Sequence, residues 1–541
     1  MNQNSITIEK VPALNRSDWF QFAFLVFGAV LLTFVFALFW FSSAHIPHNF
    51  TGIFHFFDIF LFSLLSYVVW YQITNEIFFW DNILAMKKPV HIEPKPGLRV
   101  AFITAFVPSK EPVEILKKTL KAMVSAHYRH DTWVLDEGDS EEVKMLCRKL
   151  GVKHFTRKGI FKYNQKQGIY KMKTKAGNYN SWFDRHSKKY DVVAQLDMDF
   201  VPSRDFLLKT LGYFRDKEVA FVGSPQIYGN HNESWIAKGA AQQAFNFHGP
   251  IQKGLYGKGM PLFIGSNHTI RVKAHSDIKG YAGHIVEDHL TGMKFYAKRW
   301  KSVYLPEILA IGEGPSTWDA YFSQQMRWAY GLFHILFTQS PRLITKMKIN
   351  HALNYLWLQQ YYFYGLGQII GILLLSLYFF FGINATSMVF SDLLVLYVPL
   401  LTVHTLMSIW VQRFNIDRKN ESGVHAMGKL LSVAVWPIYF IALLQVISGR
   451  RLVYKTTPKG ANGSSTPSVS LFFPHFILGT ITLFCIIAAF YTKNNSRVLL
   501  FWAVLNTVFM YGFFFVEFVY AVKLKVSKLN KDAFIFKPQL D

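Results

Sequence analysis

Long apolar runs lie near the two ends of the 541-residue chain and flank a middle part of mixed composition. A membrane-spanning helix needs about 20 mostly apolar residues. The pattern therefore divides the chain into an N-terminal membrane region (1–90), a middle domain (91–340) and a C-terminal membrane region (341–541). It predicts six spans, two before the middle domain and four after it: Trp19–Phe41, a second near 54–80, Tyr355–Phe381, Leu393–Val411, Leu471–Tyr491 and Val498–Val522.

One further apolar run, Val424–Ile447, contains Lys429 and Pro437 and is followed by Arg450 and Arg451. If it crossed the membrane, these arginines would lie outside and break the charge pattern of the other loops. We therefore expect residues 424–447 to form an interfacial helix on the cytoplasmic face. A seventh span is the alternative.

The orientation follows from lysine and arginine, which are absent from residues 42–53 and 382–391 and frequent at the opposite ends of the spans. The positive-inside rule places the middle domain and both termini in the cytoplasm of a multi-pass protein in the plasma (inner) membrane. Only 17% of the residues are charged and 51% are hydrophobic, which excludes one large soluble enzyme. The net charge of +24 suits cytoplasmic membrane faces and anionic partners rather than nucleic acid. The two cysteines, Cys147 and Cys485, match no metal or redox spacing.

The middle domain begins with short apolar runs that alternate with helical patterns, such as Val113–Ala126. Four runs read as strands: Arg99–Val107, Asp131–Leu135, Val192–Leu196 and Val219–Val222. Strands that alternate with helices predict an α/β sheet, and ligands bind outside the carboxyl ends of such strands. Acidic residues follow two of these strands directly, at Asp136-Glu137 and at Asp197-Met198-Asp199.

Carboxylates at a strand end share a hard divalent cation well and leave positions open for phosphate oxygens. An Asp-x-Asp pattern alone is weak evidence, since a solvated turn after a strand looks the same. Three further motifs strengthen the case by their order and spacing: Lys175–Asn180, Glu287-Asp288 and Gln324…Arg327-Trp328. The residues of a sixth motif, Tyr454–Gly460, read Tyr-Lys-Thr-Thr-Pro-Lys-Gly.

These motifs together resemble those of the processive, membrane-integrated family 2 glycosyltransferases, the group that contains cellulose, curdlan and mixed-linkage glucan synthases. Asp136-Glu137-Gly138 is similar to the family's Asp-Asp-Gly, and Val286-Glu287-Asp288 to its Thr-Glu-Asp. The residues Tyr454–Gly460 are similar to the gating loop of cellulose synthases. The resemblance covers most of residues 98–460 and implies a cytoplasmic GT-A (Rossmann-like) α/β domain inserted in an α-helical transmembrane domain of about six spans with interfacial helices.

The resemblance also implies a role for each motif. It makes Asp288 the catalytic base with Glu287 beside it, and it assigns Mg²⁺ or Mn²⁺ to Asp199 and Asp197. The other implied nucleotide-sugar contacts are Asp136, Glu137, Lys175, Gln324, Arg327, Thr457 and Lys459. The implied acceptor contacts are Trp328, Gly265, Ser266 and Asn267.

Polar and aromatic side chains crowd the start of the third predicted span. Polar groups inside a span are costly and usually face a protein interior or a watery path. We expect Trp357, Gln360, Tyr361 and Tyr364 to line a channel for an uncharged sugar chain. An interfacial aromatic belt, with Gln bonding between helices, is the alternative.

The expected function is polymerisation of a β-glucan from UDP-glucose, with transfer of the chain across the bilayer. The expected partners are the UDP-sugar donor, the growing polysaccharide and the lipid, with an extracytoplasmic partner protein left open. Two alternatives remain: a chitin-, hyaluronan- or poly-N-acetylglucosamine-type synthase that uses a UDP-N-acetylhexosamine, and a non-catalytic membrane transporter. The sequence does not decide the donor sugar or the linkage.

Overall fold

The computed structural model describes residues 6–108, 111–417, 423–452 and 469–535. Thr457 and Lys459 of the predicted gating loop lie outside the described residues. The described part consists of a mixed α/β domain and a set of long apolar helices.

A seven-stranded sheet forms the centre of the α/β domain. In chain order its strands are β1 Val100–Phe106, β2 Asp131–Asp136, β3 Lys153–Phe155, β4 Val192–Asp197, β5 Val219–Gly223, β6 His268–Arg271 and β7 Lys301–Tyr304. Their order across the sheet is β7-β5-β6-β4-β1-β2-β3. All four strands expected from the sequence are present, and the prediction of an α/β sheet is confirmed.

Alternation of side chains along the strands gives the sheet two buried faces. In β1, Ala101 and Ile103 join one core, while Phe102 and Phe106 join the other. Because both faces are covered, the strands read as nearly continuous apolar runs. The helices of ten or more residues in this domain are α3 Val113–Val124, α4 Glu141–Leu150, α5 Lys175–His186, α6 Trp235–Asn246, α7 Glu287–Ala297 and α8 Trp318–Thr338.

The sheet brings the predicted acidic motifs to one edge. Strands β2 and β4 both run parallel to β1 and flank it, with Asp136 opposite Phe106 and Asp197 opposite Ala105. Strand β6 runs antiparallel to β4 and β5. The loop before β6, which contains residues 265–267, therefore lies at the same edge as the carboxyl ends of β2 and β4.

Seven helices are long and apolar enough to cross a membrane within the described part of the chain. They comprise α1 Arg16–Trp40, α2 Phe56–Leu84, the pair α9 Ile349–Gln360 and α10 Tyr364–Phe381, then α11 Phe390–Val411, α12 Ala426–Ile447, α13 Phe473–Tyr491 and α14 Arg497–Ile535. Six of them match the spans predicted from the sequence. The seventh, α12, has the length and apolarity of a membrane span. Its polar residues therefore do not by themselves exclude the alternative of a seventh span.

Helix α12 differs from the other six in its surroundings. Half of its most apolar stretch is buried inside the protein, compared with 17–33% for the others. It packs on α6 and α8 of the α/β domain. The backbone N–H of Gly428 donates to Gln242 Oε1 (2.8 Å), and the Tyr439 hydroxyl donates to Gln325 Oε1 (2.8 Å). These contacts are compatible with the predicted interfacial helix, which stays a prediction.

Candidate active site

Lys175 contacts residues of two other predicted motifs at the edge of the sheet where β2 and β4 end. It is the first residue of α5, and the side chain of the preceding Thr174 caps the helix by accepting the Gly177 N–H (3.1 Å). Its ammonium forms an ion pair with Asp197 and donates to the Gly265 carbonyl (2.5 Å). Burial alone would lower the pKa of Lys175, but the negative charges of Asp197 and Glu287 raise it well above its ordinary value. Lys175 is therefore a firmly held cation in contact with two predicted motifs.

Glu287 and Asp288 open helix α7, directly after Val286. Asp288 Oδ1 accepts the backbone N–H of His289 (2.8 Å). A Cβ placed on Gly265 would lie 3.1 Å from Asp288 Oδ2 and 3.7 Å from Lys175 Nζ, so glycine leaves room for both groups. The structure thus brings Lys175, Asp197, Gly265 and the Glu287-Asp288 pair together.

The surroundings of the two adjacent carboxylates change their acidity. Burial raises the pKa of Glu287, and the neighbouring Asp288 charge adds to the rise. Burial also raises the pKa of Asp288, although the His289 N–H and Lys175 oppose the shift. A carboxylate whose pKa is raised is a stronger proton acceptor when it is ionised, which suits a general base.

Asp136 occupies the matching position at the end of β2, but it is fully buried. Its carboxylate accepts the backbone N–H of Gly138 (2.8 Å) and of Ser140 (2.6 Å), and His154 Nε2 lies 3.2 Å away. Asp136 therefore stabilises the loop that follows β2, and its expected contact with the nucleotide stays a prediction.

Glu137 binds a residue that the sequence reasoning missed. Its carboxylate accepts hydrogen bonds from Arg157 Nε (2.9 Å) and Nη2 (2.6 Å). Arg157 is only 1% exposed. Its position could have pointed to it, because Arg157 lies two residues after β3, at the same edge of the sheet as Asp136.

The loop before β6 turns two of its side chains inward. Ser266 Oγ accepts the Asp197 N–H (2.8 Å), and Asn267 Nδ2 donates to the Pro225 carbonyl (2.7 Å). Both side chains are fully buried, so they shape the loop. Of the three acceptor contacts expected in this loop, Gly265 is the one that lies beside the Asp288 carboxylate.

Gln195 is a second residue that sequence reasoning missed. It is buried in β4, donates to the Gly265 carbonyl (3.1 Å) and accepts from the Tyr281 hydroxyl (2.8 Å). A polar residue in an apolar strand was the signal, because a buried amide needs hydrogen-bond partners.

Helix α8 carries Gln324, Arg327 and Trp328 and packs beside the start of α7. A Cβ on Gly331 would lie 2.6 Å from Val286 Cγ2, so the two segments touch closely. Residues three and four apart share a helix face, which places Arg327 and Trp328 one turn before this contact. Trp328 is 39% exposed, so part of its ring is open to a ligand.

The expected channel residues divide into two groups. Trp357 Nε1 and Gln360 Nε2 both donate to Asn75 Oδ1 on α2, at 3.1 Å and 3.0 Å. These bonds between helices correspond to the alternative considered for this cluster. Tyr361 is 47% exposed, while Tyr364 packs in apolar clusters with α12.

A divalent metal ion was expected at Asp197 and Asp199. Among the residues that the structure describes, no group of three His, Cys, Asp or Glu side chains could hold a metal ion. Asp197, the last residue of β4, is partly exposed, and Asp199, two residues further along the chain, is buried. This all-oxygen donor pair fits Mg²⁺ or Mn²⁺ that takes its other ligands from water and a bound diphosphate.

Comparison with protein families adds an independent observation. Residues 192–410, from β4 to the end of α11, match the model described as glycosyl transferase family group 2. The chain is 26% identical over 306 residues to the cellulose synthase catalytic subunit (UDP-forming) of Pseudomonas fluorescens, covering 55% of this chain and 40% of that protein. Over these residues the chain is similar to family 2 glycosyl transferases and to cellulose synthase catalytic subunits. The resemblance expected from the motifs is thus confirmed.

Two further relatives broaden the comparison. The chain is 26% identical to the probable glucomannan 4-beta-mannosyltransferase 14 of Arabidopsis thaliana, covering 54% of each chain. It spans about 40% of the length of the bacterial cellulose synthase subunits that it matches. A mannosyltransferase from Pyrobaculum calidifontis, solved with GDP-Man and Mn²⁺, superposes with a TM-score of 0.46 at 12% identity, covering 72% of this chain and all of that one.

Proposed function

We propose that this chain is a processive, inverting glycosyltransferase that polymerises a β-glucan from UDP-glucose at the cytoplasmic face and passes the polymer across the membrane. The observation that carries the proposal is the cluster of Lys175, Asp197, Gly265 and the Glu287-Asp288 pair at the carboxyl edge of the sheet. It combines a cation for phosphate with a carboxylate of raised pKa in one place.

The proposed reaction is a single displacement at the anomeric carbon. The acceptor hydroxyl oxygen forms a bond to C1 of the donor glucose while the bond from C1 to the diphosphate oxygen breaks. The hydroxyl proton passes to the Asp288 carboxylate, and UDP departs with the bonding electrons. Inversion at C1 converts an α-linked donor into a β-linked product.

The remaining groups hold the reactants. Lys175 and Arg327 bind the diphosphate, since guanidinium and ammonium groups pair well with phosphate oxygens. Asp197 and Asp199 would hold Mg²⁺ or Mn²⁺, and the bound ion would neutralise charge on the diphosphate. Glu287 lies beside Asp288 at the start of α7, and the Asp288 charge raises the pKa of Glu287.

The acceptor and its exit path are assigned to aromatic side chains. Exposed Trp328, one turn from the contact between α8 and Val286, offers a flat surface to the terminal sugar. Tyr361 has an exposed ring at the junction of α9 and α10 and suits the entrance of a path for the polymer. We assign Trp357 and Gln360 to the wall of this path, where Asn75 fixes their orientation.

A mannose polymer is the second candidate. The name of the Arabidopsis relative supports it, because that relative is as similar to this chain as the bacterial cellulose synthases are. The two candidates differ in the nucleotide and sugar of the donor, and they share the base and the cation cluster.

Membranes that contain the full chain test the proposal. They are supplied in parallel with radiolabelled UDP-glucose, UDP-N-acetylglucosamine and GDP-mannose, each with Mg²⁺ or Mn²⁺. The insoluble product is then digested with linkage-specific glycosidases. We expect labelled polymer from UDP-glucose that a β-glucanase degrades.

Membranes that lack the chain serve as the background control. Polymer from GDP-mannose alone would replace the proposal with the mannan candidate, and polymer from UDP-N-acetylglucosamine alone would assign a chitin-like product. Absence of polymer with all three donors would contradict the proposed activity.

A further inference from the structure

The guanidinium of Arg157 is buried beside the candidate active site, where a ligand in solution cannot reach it. It is 1% exposed. Nε and Nη2 donate to the Glu137 carboxylate, Nη1 donates to the carbonyls of Tyr163 and Lys171 (both 3.1 Å), and Nη2 also donates to the Thr174 carbonyl (3.3 Å). All three nitrogen atoms are therefore engaged within the protein.

The three carbonyl groups belong to the segment that leads into helix α5. Residues 163–174 contain little regular structure. Arg157 donates hydrogen bonds to carbonyl groups at both ends of this segment, Tyr163 and Thr174. Thr174 is also the residue that caps α5. The next residue is Lys175, whose ammonium reaches Asp197 and the Gly265 carbonyl.

Gly177 shows how closely the guanidinium packs on the first turn of α5. A Cβ at this position would lie 2.6 Å from Arg157 Nη1 and would also clash with the Lys171 carbonyl oxygen. Glycine is therefore required here for lack of space. The Lys-Ala-Gly order of the motif has a physical reason. The lysine side chain faces the site, and the absence of a side chain on the glycine leaves room for the Arg157 guanidinium.

We propose that Arg157, held by Glu137, is the positioning residue that fixes Lys175 for the donor diphosphate. The inference rests on the proposed function and adds a role that the motifs do not assign. Fixing the segment before a ligand arrives removes the ordering cost from binding. It also gives Glu137 the task of orienting Arg157, since both of its oxygens accept from that guanidinium.

Direct binding of the nucleotide by Arg157 does not fit these contacts. A guanidinium has five N–H donors in a fixed plane, and here they meet one carboxylate and three carbonyls. Binding a phosphate would break these bonds and leave Glu137 without its cation. An effect of Arg157 on the donor therefore has to act through Lys175.

The test is a double-mutant cycle on the affinity for UDP, measured by calorimetric titration of the purified full chain in detergent with Mg²⁺. The variants are Arg157→Lys, Lys175→Ala and the double variant. Glu137→Gln, alone and with Lys175→Ala, repeats the cycle without touching the buried cation. Arg99→Lys is the matched control, because Arg99 makes a similar two-pronged pair with Asp191 (2.7 Å and 3.2 Å) at the opposite edge of the sheet.

We expect Arg157→Lys and Lys175→Ala each to weaken UDP binding about tenfold, the scale of one lost charge-assisted hydrogen bond. The double variant should bind no more weakly than Lys175→Ala alone, because Arg157 acts through that lysine. Arg99→Lys should leave the affinity unchanged.

Two results would overturn the inference. One is a loss for Arg157→Lys that adds in full to that of Lys175→Ala. The other is an unchanged UDP affinity together with a lower melting temperature, which would make the pair purely structural. Polymer synthesis is scored separately: a chain that binds UDP but makes no polymer contradicts the proposed function, while the titration still decides the role of Arg157.

Discussion

Asp136 and Asp197 end two strands that flank β1, yet the protein uses them differently. Asp136 is fully buried and accepts backbone N–H groups from its own loop. Asp197 keeps 30% of its side chain exposed and pairs with Lys175. An acidic residue after a strand therefore predicts the edge of the sheet that binds ligands, but its neighbours decide whether it faces a ligand or builds the loop.

The sharpest way to test this contrast is Asp197→Asn. We expect it to lower polymer synthesis by about a hundredfold or more, because it removes the charge that holds Lys175 and one of the two proposed metal ligands. The melting temperature should change little. The measurement is radiolabel incorporation by membranes, normalised to the amount of chain.

Asp205→Asn is the control for that variant, since the Asp205 side chain is exposed and its carboxylate lies 2.8 Å from His127 Nδ1, away from the site. A variant Asp197→Asn that keeps nearly full activity would contradict the assignment of Asp197 to the donor site.

Asp136→Asn should show the opposite behaviour. Asparagine keeps one acceptor oxygen, so a backbone N–H of the loop loses its charged partner. We expect the free energy of unfolding to fall by about 2 kcal/mol. Thermal unfolding of the purified chain measures this. A large loss of UDP affinity at unchanged stability would instead make Asp136 a direct nucleotide contact.

The coupled carboxylates predict a pH effect. Folding raises the pKa of Glu287, which means that the ionised carboxylate is less stable in the folded chain than in the unfolded chain. The free energy of unfolding therefore falls as the pH rises from the ordinary carboxyl pKa to the raised pKa of Glu287. Glu287→Gln should therefore stabilise the chain at neutral pH and leave its stability unchanged at acidic pH. Thermal unfolding across this pH range measures both.

The smallest effect is expected in the membrane region, for Asn75→Ala. This change removes the shared acceptor of Trp357 and Gln360, and we expect it to lower the free energy of unfolding by about 1 kcal/mol. Activity should remain within about twofold, since Asn75 touches no reactant. Thermal unfolding and the polymer assay decide this, and a strong loss of polymer at normal UDP affinity would show that Trp357 and Gln360 need Asn75 in order to line the path.

The sequence predicted the strands that carry Asp136 and Asp197 because they are long, apolar and followed by an acid. It did not predict β3, β6 and β7, which have three or four residues each and include polar side chains. Strand β6 places Gly265 next to Asp288, so the centre of the site depends on an element without a sequence signal. The role of Glu137 was equally hidden, because its partner Arg157 lies 20 residues further along the chain.

The most direct test of the account is the Asp288→Asn variant, measured for both UDP affinity and polymer synthesis. Asparagine preserves the shape of the side chain but cannot accept the acceptor's proton. We predict that UDP affinity stays near that of the wild type while polymer synthesis falls by about a thousandfold. Substantial synthesis by this variant, or a loss of UDP affinity as large as the loss of synthesis, would contradict the claim that Asp288 is the catalytic base.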